Sequence, residues 1–132
     1  IAKNLTDFPG SSAWFEYGFV SYGNNAKTDL LDIDAELLET EGAVSQAVAE
    51  AMVAGALARS GAEFGIAVTG VAGPDGGTPD KPVGTVWMAW GLAGQAPVSE
   101  CHLFDGDRDT VRRATVSMAL RQALQYYEHN AN

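Results

Sequence analysis

The chain has 132 residues, 46% of them apolar and 19% charged, a composition that can bury a core and excludes disorder. Its formal net charge of −9, from 17 acidic and 8 basic side chains, repels polyphosphate and argues against a nucleic-acid or anionic-membrane partner, while a small anionic substrate can still be met by a few local cations. The single cysteine, Cys101, cannot close an internal disulfide, no apolar run approaches the roughly 18–20 residues of a bilayer span, and no basic-then-apolar signal opens the chain, so a reducing cytoplasmic setting is expected.

Residues 1–5 read as the end of a helix and open on Ile1 rather than Met, which leads to the expectation of one domain over residues 1–132, truncated at its N-terminus. Turn formers in series at residues 7–12 precede an aromatic and β-branched run over residues 14–22 that reads as a buried strand. Leu30, Leu31, Ile33, Leu37 and Leu38 fit short helical turns interrupted near Asp32-Ile33-Asp34, where an aspartate can cap a new helix. Gly42 opens the clearest helix, from Ala43 to about Ser60, with Val44, Val48, Met52 and Ala56 on one row and Ala47, Ala51, Ala54 and Ala58 beside it. Gly61 stands where a C-terminal stop is expected, and residues 64–69 follow as a short apolar strand.

Residues 70–82 hold four glycines and three prolines, a density that neither helix nor sheet tolerates, so a loop of fixed shape is expected. Residues 83–91 and 98–104 read as strands that pair antiparallel across the turn at 93–97. Asp107 can cap a last helix from Arg108 to about Glu128, with Val111, Ala114, Met118 and Arg121 on one side and Val116, Leu120 and Leu124 on another. This alternation predicts an α/β domain of three layers, α/β/α, around a mixed, partly antiparallel sheet.

Three features can carry chemistry. The loop Thr69-Gly-Val-Ala-Gly-Pro-Asp-Gly-Gly-Thr78 follows a strand, where open α/β sheets place their ligands, and its free N–H groups can bind a phosphate or an oxyanion; an ordinary tight connection explains the same spacing. It is not a Walker loop, since no Gly-Lys-Ser/Thr end opens a helix. Tyr22-Gly-Asn-Asn-Ala-Lys27 joins a phenol and an ammonium at a strand end, and a lysine of lowered pKa can act as a base; a core tyrosine beside a solvated lysine is the alternative. Arg108 and Arg112 share a helix face and can grip a phosphate, unless Asp105, Asp107 and Asp109 simply neutralise them. His102 and His129 stand apart from any Cys or carboxylate cluster, and Asp29, Asp32 and Asp34 lack the glycine and distal glutamate of a calcium loop, so no metal is expected.

Taken in order, Pro9-Gly-Ser-Ser12, Gly18-Phe-Val-Ser-Tyr22 with Asn25-Ala-Lys27, Gly42-Ala-Val-Ser45, Val68-Thr-Gly-Val-Ala-Gly-Pro-Asp-Gly-Gly77 with Lys81-Pro-Val-Gly-Thr-Val86, and Gly106-Asp-Arg108 with Val111-Arg112 resemble the CinA C-terminal family across nearly the whole chain. The resemblance implies a nicotinamide-nucleotide amidase, which hydrolyses nicotinamide mononucleotide to nicotinate mononucleotide and ammonia in pyridine-nucleotide recycling and needs no cofactor. It implies catalytic roles for Tyr22, Lys27 and Arg108, substrate-binding roles for Thr69, Gly70, Ala72, Gly73, Gly76 and Gly77, a small-molecule nucleotide as substrate, and a homodimer; Trp14, Trp87, Trp90 and Tyr127 are candidate interface aromatics, with core packing the commoner fate of such side chains. The family nucleophile is a serine within Glu-Ser-Cys-Thr-Gly-Gly, a motif absent from this sequence and expected a few residues before Ile1; none of Ser11, Ser12, Ser21 or Ser45 matches it. The alternative reading is a non-catalytic nucleotide-binding or regulatory module linked to competence and DNA damage.

Overall fold

The computed structural model describes residues 1–131. Its elements, in order, are helix α1 (Ala2–Leu5), a 3-10 turn at Ser11–Ala13, helices α2 (Asn24–Leu31), α3 (Ala35–Glu41) and α4 (Gln46–Ser60), strands β1 (Phe64–Gly70), β2 (Thr85–Leu92) and β3 (Val98–Leu103), and helix α5 (Arg108–Asn130). Local chemistry sets most of the boundaries. Asp34 caps α3 by accepting from the N–H of Glu36, Ser45 caps α4 by accepting from Val48, and Asp107 caps α5 by accepting from Thr110. The cap at Ser45 is why α4 begins at Gln46 rather than at Ala43. Gly61 ends α4 in the left-handed conformation that only glycine adopts without cost.

The α/β class and the α/β/α layering are those expected. The strands lie in the order β1-β2-β3, with α4 on one face and α5 on the other. Within the sheet the expectation of a mixed arrangement is corrected, because both ladders, β1 with β2 and β2 with β3, are antiparallel. The strand expected over residues 14–22 does not form; that segment joins no ladder, and Val20 is 83% exposed. Strand propensity expresses fit to a pleated, half-buried surface, and without a neighbouring strand the β-branched and aromatic side chains lose that fit. Phe19 alone of that run packs against the core beneath α4.

β2 is the central strand and is buried on both faces. Val86, Met88 and Trp90 face α5, in a cluster with Val111, Ala119 and Ala123, while Ala89 joins Val48, Ala49, Met52, Val53 and Leu31 beneath α4. The alternation follows from the two-residue period of a strand. Trp87 packs against the α4 core and Trp90 is 2% exposed, so these two take the core role rather than the interface one.

The expected faces of α5 are also corrected. Its buried row is Val111, Thr115, Ala119 and Ala123, and Leu124 is 62% exposed. The cause is steric: Trp90 fills the space opposite and donates its indole N–H to the Ala119 carbonyl at 2.9 Å, so the helix must approach with small side chains. α4 meets the other face through a pair of glycines, Gly65 and Gly91, which oppose each other across β1 and β2. A Cβ on Gly91 would lie 2.5 Å from Val53 Cγ1, and one on Gly65 would lie 3.3 Å from the Leu57 side chain. Gly91→Ala is therefore expected to destabilise the protein by about 1–3 kcal/mol in urea denaturation, and Gly91→Ala with Val53→Ala is expected to cost less than the sum of the two single changes.

Candidate functional site

Lys27 sits one turn before the end of α2 and is 5% exposed. Its Nζ donates to the carbonyl of Ser21 at 2.7 Å and to that of Tyr22 at 3.2 Å. Among the described residues no carboxylate lies within ion-pair distance of it. Burial without a counter-charge disfavours the ammonium, and the Lys27 pKa falls below its ordinary value of 10.5.

The same short segment presents Tyr22, whose side chain is 82% exposed. Its hydroxyl lies 3.5 Å from Arg108 Nη2, while Arg108 Nη1 donates to the Gly73 carbonyl at 2.9 Å. Arg108 is the first residue of α5, behind the Asp107 cap. Asp107 is held below the usual carboxylate range by the N–H and hydroxyl of Thr110. One guanidinium thus joins the start of α5, the glycine loop and the tyrosine ring. Arg108 turns to Gly73 and Tyr22; next to Arg112, Arg113 Nε pairs with Asp109 at 2.7 Å.

The loop between β1 and β2 links antiparallel neighbours and is pinned along its length. Val71 N–H donates to Thr85, Gly84 N–H to Val71, and Thr78 N–H to Lys81, at 2.9, 2.7 and 3.0 Å. Lys81 Nζ donates to the Glu41 carbonyl at the end of α3, at 2.8 Å. Gly73 has φ +84°, and a Cβ there would lie 2.5 Å from Val83 Cγ1, so both its conformation and its contact require glycine. The predicted substrate-binding residues separate into two groups. Thr69 spends its hydroxyl on the Ala43 carbonyl at 2.9 Å, and Ala72 packs against the α5 core. Gly73 reaches Arg108, while Gly70, Gly76 and Gly77 are exposed. Among the described residues the N–H groups of Gly76 and Gly77 donate to no acceptor in the protein.

Asp29, Asp32 and Asp34 are occupied at helix ends: Asp29 through its carbonyl, Asp32 as the left-handed residue closing α2, and Asp34 as the α3 cap. His102 faces Glu100 at 3.0 Å, and His129 bonds the Gln125 carbonyl. Among the described residues no three His, Cys, Asp or Glu side chains gather at metal-binding distance, and no helix is long and apolar enough to cross a membrane. Sequence reasoning missed the two carbonyls that hold Lys27 and the bond from Lys81 to α3. Backbone acceptors carry no side-chain signal; Lys81, at the end of the loop motif, did offer one.

Residues 1–127 match the family model described as the CinA C-terminal domain. The nicotinamide-nucleotide amidohydrolase PncC of Pseudomonas putida is 59% identical over 125 residues, which are 95% of this chain and 78% of that protein. A CinA-like protein of Akkermansia muciniphila is 49% identical over 94% of this chain, which spans 30% of that longer protein. Among solved structures, the competence/damage inducible protein CihA of Agrobacterium tumefaciens superposes with a TM-score of 0.90 at 44% identity, covering 94% of this chain and 76% of that one.

The lowered pKa of Lys27 sets a pH dependence of stability. Between the folded-state value and 10.5 the unfolded chain holds a proton that the folded chain has released, so unfolding free energy rises with pH across that window. Lys27→Met is expected to remove this rise when urea denaturation is compared between pH 7 and pH 10.

Proposed function

The chain belongs to the CinA C-terminal domain family, and from that premise we propose that it is the body of a nicotinamide-nucleotide amidase, in which Lys27 is the base, Tyr22 a proton carrier and Arg108 a stabiliser of negative charge. The observation that carries the reading is the state of Lys27: a buried amine held by two carbonyls and no acid. A neutral amine has two N–H groups and one lone pair. With both N–H groups given to Ser21 and Tyr22, the lone pair is left to take a proton, and the lowered pKa raises the population of that form near neutral pH.

Amide hydrolysis needs a nucleophile, a base to deprotonate it, donors for the oxyanion and a proton for the departing ammonia. In this reading a serine in the Glu-Ser-Cys-Thr-Gly-Gly segment ahead of Ile1 attacks the carboxamide carbon of nicotinamide mononucleotide, and Lys27 accepts its proton. The tetrahedral oxyanion collapses, the C–N bond breaks, and the proton returns to the nitrogen to release ammonia. Water then attacks the acyl-enzyme by the same route and frees nicotinate mononucleotide. The N–H groups of Gly76 and Gly77 supply donors for the oxyanion or the nucleotide phosphate, and Arg108 adds a cation in an otherwise acidic protein. The reading extends to a cytoplasmic homodimer with neither nucleic acid nor membrane as partner.

Protein carrying the upstream segment is expected to release ammonia from nicotinamide mononucleotide in a coupled ammonia assay. Lys27→Ala should abolish turnover with the circular dichroism spectrum unchanged, and Tyr22→Phe should lower kcat by about 10²-fold or more. A well-folded protein that releases no ammonia would instead favour the regulatory module.

A further inference from the structure

Lys27 and Leu31 are the two buried residues of α2, one turn apart on the same face. Leu31 is where that helix touches α4, and the touch is made by backbone: a Cβ on Gly55 would collide with the Leu31 carbonyl oxygen. One turn further along α4, Arg59 reaches over the same helix end. Its Nη2 donates to the Asp29 carbonyl at 2.8 Å and its Nε to the Leu30 carbonyl at 3.1 Å. The two preceding carbonyls, of Lys27 and Thr28, accept from Ile33 and Asp32 as the chain turns back through the left-handed Asp32. A helix leaves its last four carbonyls without intrahelical donors. Here that of Thr28 is closed by the turn and those of Asp29 and Leu30 by a single guanidinium, whose charge also opposes the helix dipole at that end, while that of Leu31 lies against Gly55. Arg59 forms no ion pair with Asp29, Asp32 or any other described carboxylate, so its partners are these carbonyls.

α2 has only eight residues, too few to be stable without tertiary support. Its position is fixed by its C-terminal half, on α4. Its N-terminal half follows the Ser21 and Tyr22 carbonyls that hold the lysine. Freeing the C-terminal carbonyls would let α2 fray and tilt, admit water to Lys27 and relieve the desolvation that lowers its pKa.

We propose that Arg59 is a positioning residue for Lys27, acting through the carboxyl end of α2 that it and Gly55 hold against α4. The consequence for catalysis rests on the reading of Lys27 as the base, but the coupling itself does not. The test is NMR titration of Lys27 in protein carrying the upstream segment and labelled with ¹³C-lysine, the Lys27 signal being assigned by its loss in Lys27→Arg. In Arg59→Gln the Lys27 midpoint should rise toward that of an ordinary lysine, with the ratio of protonated to neutral amine at fixed pH increasing about threefold or more. Arg59→Lys, which keeps a cation but a single donor nitrogen in place of the fork, should fall between Arg59→Gln and the unmodified protein, and it serves alone if Arg59→Gln does not fold. The acid limb of the kcat/KM profile should move in the same direction and order.

A Lys27 midpoint unchanged in these variants while Tm falls would overturn the proposal, leaving Arg59 an ordinary structural contact. A midpoint that moves in a protein unable to release ammonia would sink the amidase reading and leave the positioning of Lys27 intact.

Discussion

Everything in this fold is referred to α4, and α4 is held by contacts in which side chains have been removed. On the sheet side, Gly65 and Gly91 stand across from each other and let Val53 and Leu57 come down onto the backbone of β1 and β2. On the other side, Gly55 lets the carbonyl of Leu31 lie against the helix itself. Close packing of this kind leaves little slack, since a displaced methyl on either face has no void to enter. The helix therefore works as a rigid plate that fixes where α2 lies relative to the sheet. Because the glycine loop springs from β1 and β2, that plate also fixes the distance from Lys27 to the loop.

The candidate site is assembled from parts distant in sequence, and polar contacts to the backbone join them. Lys27 is held by the carbonyls of Ser21 and Tyr22, Lys81 by that of Glu41, Arg59 by those of Asp29 and Leu30, and Arg108 by that of Gly73. Half of the chain's eight basic side chains are thus directed at carbonyls rather than at acids. For Lys81, Arg59 and Arg108, in a protein of net charge −9, this is a way to keep positive charge uncompensated where it is wanted, because a carbonyl orients a cation without neutralising it.

Much of the fold could be read from the sequence wherever the governing chemistry is local. Asp34, Ser45, Gly61 and Asp107 end or begin helices through bonds within three or four residues of themselves; the boundaries at Asp34, Gly61 and Asp107 could be read, while the Ser45 cap was missed and the helix was expected to start at Ala43. The hairpin of β2 and β3 was equally visible. The failures share a cause in long-range packing. Residues 14–22 have the composition of a strand but no partner strand, and the small row Val111, Thr115, Ala119 and Ala123 is buried only because Trp90 occupies the space facing it. At the site, Tyr22, Lys27, Gly73 and Arg108 each favoured a structural explanation when taken alone, and the family pattern singled them out. Arg59 and Gly55 could not be found in that way, as their partners are main-chain atoms of another helix.

The anchoring of the loop between β1 and β2 bears on the thermodynamics of whatever it receives. A glycine-rich connection is ordinarily a mobile element whose ordering opposes ligand capture. Here its conformational entropy has already been surrendered during folding, at Val71, Thr78, Lys81, Gly84 and the Gly73 carbonyl. A bound anion would meet donors whose backbone is already arranged, so its association would carry a smaller entropic penalty, and selectivity would come from fit to a preset shape rather than from adaptation around the guest.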